Sequence, residues 1–213
     1  HMYNRIAGYK QYYKSLVMLG VPIIIGQLGA IITGLADTIM VGQHSTEELA
    51  AASFVNNVIN AFIIMGTGFS YNLTPLIGQN LAMNKKIVIG GWLKNSLVAN
   101  MTTTLLLIAV LLGIYLKLDS LGQPEELLPL IRPYFAVSLV SIIFVMLYNS
   151  FRQFVEGIAN PSISMWVLLT GNLLNIIGNY ILIYGKCGMP ELGLLGAGIS
   201  TFISRIIMLL LFI

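Results

Sequence analysis

Charged residues are scarce in this chain: 9% of its 213 residues are charged, whereas 57% are hydrophobic. A soluble domain carries roughly a quarter charged residues, so the composition excludes an ordinary soluble protein. Apolar runs of about 20 residues or more, long enough to cross a bilayer, recur along the chain. They are continuous rather than alternating, which indicates helices and not a barrel. The predicted fold class is an all-α polytopic membrane protein, a bundle of six transmembrane helices.

Cysteine and histidine are also scarce. The single cysteine, Cys187, excludes a disulfide within the chain, and two histidines without a Cys/His cluster argue against a structural metal site. The spans contain no paired acids, no His–Glu metal motif and no nucleophile with a base, so we predict no enzyme and no cofactor. The net charge of +3 reflects basic loops rather than a nucleic-acid partner.

The apolar runs predict six helices. Several exceed the usual span length, which suggests tilt or extension beyond the membrane. Prolines within three of them are expected to weaken local backbone pairing and to permit bending. The predicted helices cover residues 15–42, 49–79, 89–116, 127–154, 161–184 and a last helix from about residue 193.

Lysine and arginine favour one side of this bundle, in the segment before the first span and in the second and fourth connections. The positive-inside rule therefore predicts a multi-pass protein of the cell (inner) membrane with a cytoplasmic N-terminus. Residues 1–14 are predicted to hold a tag remnant, His1-Met2, and a cytoplasmic interfacial segment that anchors to the membrane surface. Residues 15–213 are predicted to hold the membrane-spanning helices. Because the sequence ends in RIIMLLLFI, inside the last span, we expect it to be truncated or part of a longer chain.

One carboxylate lies inside a predicted span. Asp37 stands in the run AIITGLADTIMVG, about five residues from the outer end of the first helix. A charge in hydrocarbon costs several kcal/mol, so such a residue normally has a function or a partner. The alternative is an interfacial aspartate that caps the next loop, although Ser45 and Thr46 are better caps there.

A polar stripe occupies the fifth predicted helix. Asn172, Asn175 and Asn179 are spaced i, i+3 and i+7, within about 60° of each other around a helix. Three carboxamides on one stripe should face the bundle interior or a water-filled cavity, either as a site or as hydrogen-bonding glue between helices. Two of them share the outward half of the membrane with Asp37, which predicts a hard-oxygen cation site or a proton-binding carboxylate.

Three further polar residues lie near this depth. Thr33 lies one turn before Asp37, and Thr201 lies near the start of the sixth helix; both could add oxygens. Arg205, in the middle of the sixth helix, is predicted to snorkel to the cytoplasmic surface rather than to pair with an internal acceptor.

Four motifs in order resemble the multidrug and toxic compound extrusion (MATE) family of secondary transporters. They are VPIIIGQLGAIITGLADTIMVGQHSTEELAAAS, GTGFSYNLTPLIGQNLA, FRQFVEGIANPSISM and NLLNIIGNYILIYGKCGMPELGLLGAGIST. The resemblance covers residues 15–213. It implies one six-helix lobe, the N-terminal one, of a twelve-helix transporter whose C-terminal lobe is absent here.

The resemblance also implies roles for residues. Asp37, Asn175, Asn179 and, less directly, Thr201 match the family's N-lobe site for Na⁺ or H⁺. Thr33, Gln27 and Asn172 are assigned to the substrate cavity. Some branches of the family carry a second aspartate where Asn179 stands, so the coupling ion stays open.

The function that the resemblance implies is a cation- or proton-coupled antiporter that exports amphipathic organic cations or drugs. Its expected partners are the lipid bilayer, a small organic cation and the C-terminal lobe. Two alternatives remain: a flippase for lipid-linked precursors, which would need a large basic cavity, and a structural bundle that transports nothing.

Overall fold

A computed structural model describes the backbone of residues 2–213 and the side chains of residues 9–213, so the expected tag remnant at His1-Met2 lies outside the side chains described. Residues 2–213 contain helices and no strand, which confirms the predicted all-α fold. Two short 3₁₀ turns, Leu118–Ser120 and Glu125–Leu127, connect the fourth and fifth helices. The helices are α1 (Met2–His44), α2 (Thr46–Ser70), α3 (Leu73–Ala82), α4 (Lys86–Leu116), α5 (Leu128–Gly157), α6 (Pro161–Ile183) and α7 (Leu194–Leu210).

Five segments of the described chain are long and apolar enough to cross a membrane. They comprise α1 from Tyr9 on, α2 with α3, α4, α5 with the preceding turn, and α6. The predicted sixth span corresponds to α7, which has 17 residues. At about 1.5 Å per residue it is somewhat shorter than the roughly 30 Å of a hydrocarbon core.

The second predicted span is not one continuous helix. It breaks at Tyr71 and Asn72, and α3 begins at Leu73. Pro75 therefore falls in the first turn of α3, where a missing backbone N–H removes no intrahelical hydrogen bond. The expectation of one helix over residues 49–79 was wrong because the proline begins a new helix rather than bending an existing one.

The core is built around α5. This helix packs against α2, α3, α4 and α7, while α1 packs mainly against α6. Phe135, Ile142 and Met146 of α5 are fully buried. The outer face of α1 instead exposes Ile31, Ile32 and similar side chains, as a surface in contact with hydrocarbon should.

One end of the bundle is fastened by a charged cluster. Ser45 is the N-cap of α2, as predicted, and its Oγ accepts a hydrogen bond from Glu48 N at 3.4 Å. His44 Nδ1 lies 2.6 Å from Glu48 Oε2, and His44 Nε2 lies 2.6 Å from Glu191 Oε1 in the α6–α7 loop. Gly193, with φ of +56°, packs directly against the Glu48 carboxylate, and a Cβ there would displace that side chain. The cluster therefore ties the α1–α2 turn to the loop before α7.

Candidate ion site and cavity

The Asp37 carboxylate points into the bundle. Asp37 is partly buried on α1, and its Oδ1 accepts a hydrogen bond of 2.6 Å from Nδ2 of the fully buried Asn179 on α6. The two helices approach closely because α1 carries glycine at the contact. A Cβ at Gly29 would lie 2.8 Å from Leu169 Cδ2 and 3.2 Å from Asn172 Nδ2. Asp37 therefore has an interhelical partner and does not act as a cap of the following loop.

A chain of hydrogen bonds continues from Asp37 to α7. Asn179 Nδ2 also donates to Asn175 Oδ1 at 3.2 Å, and Asn175 Nδ2 donates to Thr201 Oγ1 at 3.0 Å. The four residues that the sequence assigned to the ion site thus form one connected network across α1, α6 and α7.

Close packing of α6 on α7 holds this network. Gly178 leaves room for the side chain of Ser200, whose Oγ donates to the Asn175 backbone carbonyl at 2.9 Å. A hydroxyl on α7 thereby reaches the backbone of α6, and the next residue, Thr201, comes within hydrogen-bond distance of the carboxamide. The asparagine stripe therefore faces the bundle interior, as the sequence predicted, and its side chains connect α6 to α1 and α7.

One oxygen in the network has no partner among the described residues. Asn179 Oδ1 is buried and accepts no hydrogen bond, although it belongs to the amide that contacts Asp37. A buried carbonyl oxygen without a donor costs about 1–3 kcal/mol. A carboxamide oxygen of this kind is a suitable ligand for a hard cation, which prefers carboxylate, carboxamide and hydroxyl oxygens.

The network borders a cavity of about 700 Å³. Asp37, Asn175 and Thr201 line it, whereas Asn179 lies behind them and does not. Of the residues that the sequence assigned to a substrate cavity, Thr33 and Asn172 line this one. Gln27 differs: it is exposed and lies outside the lining.

Sequence reasoning missed several lining residues. Tyr134 on α5 lines the cavity, and its hydroxyl donates to Asn56 Oδ1 on α2 at 2.8 Å. Asn56, Asn57 and Asn60 also line it, and the i, i+4 pair within NNVIN is the same signal that identified the stripe on α6. Tyr134 offered no comparable signal, because a tyrosine near a helix end also suits the membrane interface.

Arg205 also lines the cavity instead of snorkelling to the surface. Its Nη1 donates to the hydroxyl of Ser141, a buried residue of α5. The expectation of snorkelling was wrong because α7 packs against α5, and the side chain meets the Ser141 hydroxyl within the bundle.

No group of three or more His, Cys, Asp or Glu side chains in the described part of the chain could hold a metal ion. A site at Asp37 would therefore rest on one carboxylate and neutral oxygens. Such a set suits a proton or a weakly bound monovalent cation better than a tightly held transition metal.

Comparisons with known proteins agree with this architecture. A family model described as MatE matches residues 22–181. The probable multidrug resistance protein NorM of Photorhabdus laumondii is 32% identical over 190 residues, covering 89% of this chain and 42% of that protein. The multidrug resistance protein NorM of Vibrio cholerae is 29% identical over 203 residues, covering 95% of this chain and 44% of that protein.

A solved structure shares the fold. It is described as the outward-facing conformation of a multidrug resistance MATE family transporter of the MOP superfamily, and it matches with a TM-score of 0.80 and 24% identity over 93% of this chain and 44% of that one. The chain thus spans less than half the length of the relatives it matches. With a family model over most of its length and this fold, the chain belongs to the MATE family of membrane transporters and corresponds to their N-terminal lobe.

Proposed function

We propose that the protein containing this chain is an ion-coupled antiporter that exports amphipathic organic cations, with Asp37 as the group that binds Na⁺ or H⁺. The observation that carries the proposal is the 2.6 Å hydrogen bond from Asn179 to Asp37, at the wall of a cavity of about 700 Å³. An acid held there can exchange a proton or cation with the cavity while neutral oxygens keep it in place.

Coupling follows from competition for one charge. Without an ion, the Asp37 carboxylate attracts a cationic substrate in the cavity; with Na⁺ or H⁺ bound, that attraction is lost. A ligand shifts the equilibrium between inward- and outward-open states only by binding the two differently. Because Asp37 on α1 contacts α6, and α6 contacts α7, a change in its charge alters how these three helices pack.

Other residues of the site hold and shape it. Asn175, Asn179 and Thr201 supply oxygens and donors around the ion, and Thr33 and Asn172 border the space for substrate. The proposed setting is the inner membrane with the N-terminus in the cytoplasm, with the lipid bilayer and a C-terminal lobe as partners. A flippase for anionic lipid precursors is less well supported, since Arg205 is the one cation among the described residues that line the cavity.

The test is transport by the intact protein in proteoliposomes, with a Na⁺ gradient and a pH gradient imposed separately. The substrate is the fluorescent cation tetramethylrhodamine methyl ester. We expect one of the two gradients to drive export, and Asp37→Asn to reduce that export to background while the protein still inserts. Asp119→Asn is the matched control, because Asp119 pairs with Arg132 at the exposed surface. Gradient-driven export that survives in Asp37→Asn would contradict the proposal.

A further inference from the structure

Arg205 is a charged residue in the cavity that the coupling of Asp37 does not use. It lies on α7, partly buried, and one of its nitrogens, Nη1, donates to the Ser141 hydroxyl. A guanidinium carries five N–H donors and keeps its charge at any physiological pH. A single neutral hydroxyl therefore leaves most of its donors without a partner and its charge without a carboxylate in direct contact among the described side chains.

The other arginines with described side chains have carboxylate partners. Arg132 contacts both oxygens of Asp119 at 2.6 and 2.7 Å, and Arg152 Nε donates to Glu156 Oε1 at 2.8 Å. No ion pair among residues 9–213 includes Arg205. The difference is not one of burial alone, because Arg152 is also largely buried and is nevertheless paired.

The remaining donors of Arg205 open onto the cavity. None of its nitrogens is among the buried atoms that lack a hydrogen-bond partner, so those without a protein partner are accessible. The residue lines the cavity of about 700 Å³, which gives these donors the space they face. A guanidinium in a partly dehydrated site binds a carboxylate or phosphate oxygen through two parallel hydrogen bonds.

The same cavity carries the opposite charge at Asp37, which accepts a hydrogen bond from the neutral amide of Asn179. Neutral hydrogen-bonding groups of Asn56, Thr201 and Ser204 line the same cavity. A ligand with a cationic and an anionic group can therefore contact both charged side chains at once. A simple cation leaves Arg205 without an ionic partner and places a second positive charge in the same cavity.

We infer that Arg205 is an anion-receiving subsite, and that the cavity prefers organic cations that also carry a carboxylate over the same cations without one. This inference rests on the proposed function for its setting and deepens it by naming the substrate class. Arg205 is a specificity-determining residue in this account, and Asp37 remains the ion-coupling group.

The test uses two probes with one aromatic core. Tetramethylrhodamine carries a xanthylium cation and a carboxylate, and in its methyl ester the carboxylate charge is removed. Equilibrium binding of each dye to the intact protein in nanodiscs, measured by fluorescence polarisation without any ion gradient, gives the ratio of the two dissociation constants. The wild type is expected to bind the free acid more tightly than the ester.

Arg205→Gln should weaken binding of the free acid by about tenfold or more, the size of a lost charge-assisted hydrogen bond. Binding of the ester should stay the same or become tighter, because a repelling cation has been removed. Arg205→Lys keeps the positive charge but lacks the planar guanidinium. Its affinity for the free acid should lie between those of the wild type and Arg205→Gln. Arg132→Gln, which removes an arginine from an exposed pair, should leave the ratio unchanged.

A ratio that does not change in Arg205→Gln would overturn the inference, and so would an equal loss of both dyes. The second result would mean that Arg205 supports the fold through Ser141. Because binding is measured without a gradient, this failure is distinct from failure of the proposed function, which would appear as export of the ester that ignores both gradients or does not need Asp37.

Discussion

Two polar regions on one face of α1 use charge in opposite ways. Asp37 and His44 are seven residues apart, two helical turns or about 10 Å along the axis. Asp37 reaches α6 within the bundle, and His44 reaches the loop that follows α6. At Asp37 the hydrogen-bond partner is neutral, whereas both partners of His44 are carboxylates.

Every charge in the cluster at His44 has an oppositely charged partner in contact. Each ring nitrogen lies 2.6 Å from a carboxylate oxygen, and only the doubly protonated imidazolium can donate to both. Its single positive charge then contacts the two carboxylates of Glu48 and Glu191. These direct contacts suit a fixed connection between helix ends.

The charges of the cavity, by comparison, have no oppositely charged group in contact among residues 9–213. Asp37 accepts from an amide, Arg205 donates to a hydroxyl, and neither is in an ion pair among the described side chains. Burying charges with neutral partners costs free energy that a bound ion or ligand can recover. The comparison teaches that the partner of a charged residue is more informative than its position in a span. Charges paired with each other suit a structural contact, whereas charges with neutral partners suit a binding site.

The largest effect should come from removing the neutral partner of Asp37. Asn179→Leu deletes the donor at 2.6 Å and leaves the carboxylate beside an apolar side chain. A hydrogen bond to a charged group contributes about 2 kcal/mol, so the half-maximal concentration of the coupling ion should shift by roughly 30-fold. Export in proteoliposomes as a function of ion concentration measures the shift. Asn95→Leu, at an exposed asparagine on α4, serves as the control. If the ion dependence of export is unchanged in Asn179→Leu, the hydrogen bond from Asn179 does not affect ion binding at Asp37.

A smaller effect, on stability and not on coupling, should follow from His44→Ala. The substitution leaves the buried Glu48 carboxylate without its cationic partner and should lower the free energy of unfolding by about 1–2 kcal/mol. Thermal unfolding in detergent measures the loss. Adding Glu48→Gln should restore part of it, since the buried charge is then gone. If His44→Ala instead altered ion-coupled export at unchanged stability, the cluster would belong to the transport machinery.

The smallest effect should come from Glu191→Gln. The side chain of Glu191 is 63% exposed, and an exposed ion pair contributes only about 0.5 kcal/mol. The same unfolding measurement should therefore show a loss well below that of His44→Ala. Equal losses would mean that the loop contact, and not the burial of Glu48, dominates the cluster.

The sequence was sufficient for much of the fold and of the candidate site. Long apolar runs predicted the helices. The break before Pro75 was missed because the sequence pattern around a proline is the same whether the proline bends a helix or begins one. Asp37 and the asparagines of α6 were found because a polar group in hydrocarbon is costly wherever it occurs.

What the sequence missed depends on neighbours from distant parts of the chain. NNVIN carried a polar spacing, but the sequence did not say that α2 turns it toward Asp37. Arg205 had two possible directions, and contact with Ser141, 64 residues earlier, decided between them.

The sequence by itself determined that this chain lies in a membrane and that an acid in its first span needs a polar partner, because both follow from the cost of placing polar groups in hydrocarbon. The tertiary structure alone decided which partner each charge meets: amide for Asp37, hydroxyl for Arg205 and carboxylates for His44. Helical periodicity specifies which residues share a face, but only the packing of one helix on another determines what that face contacts.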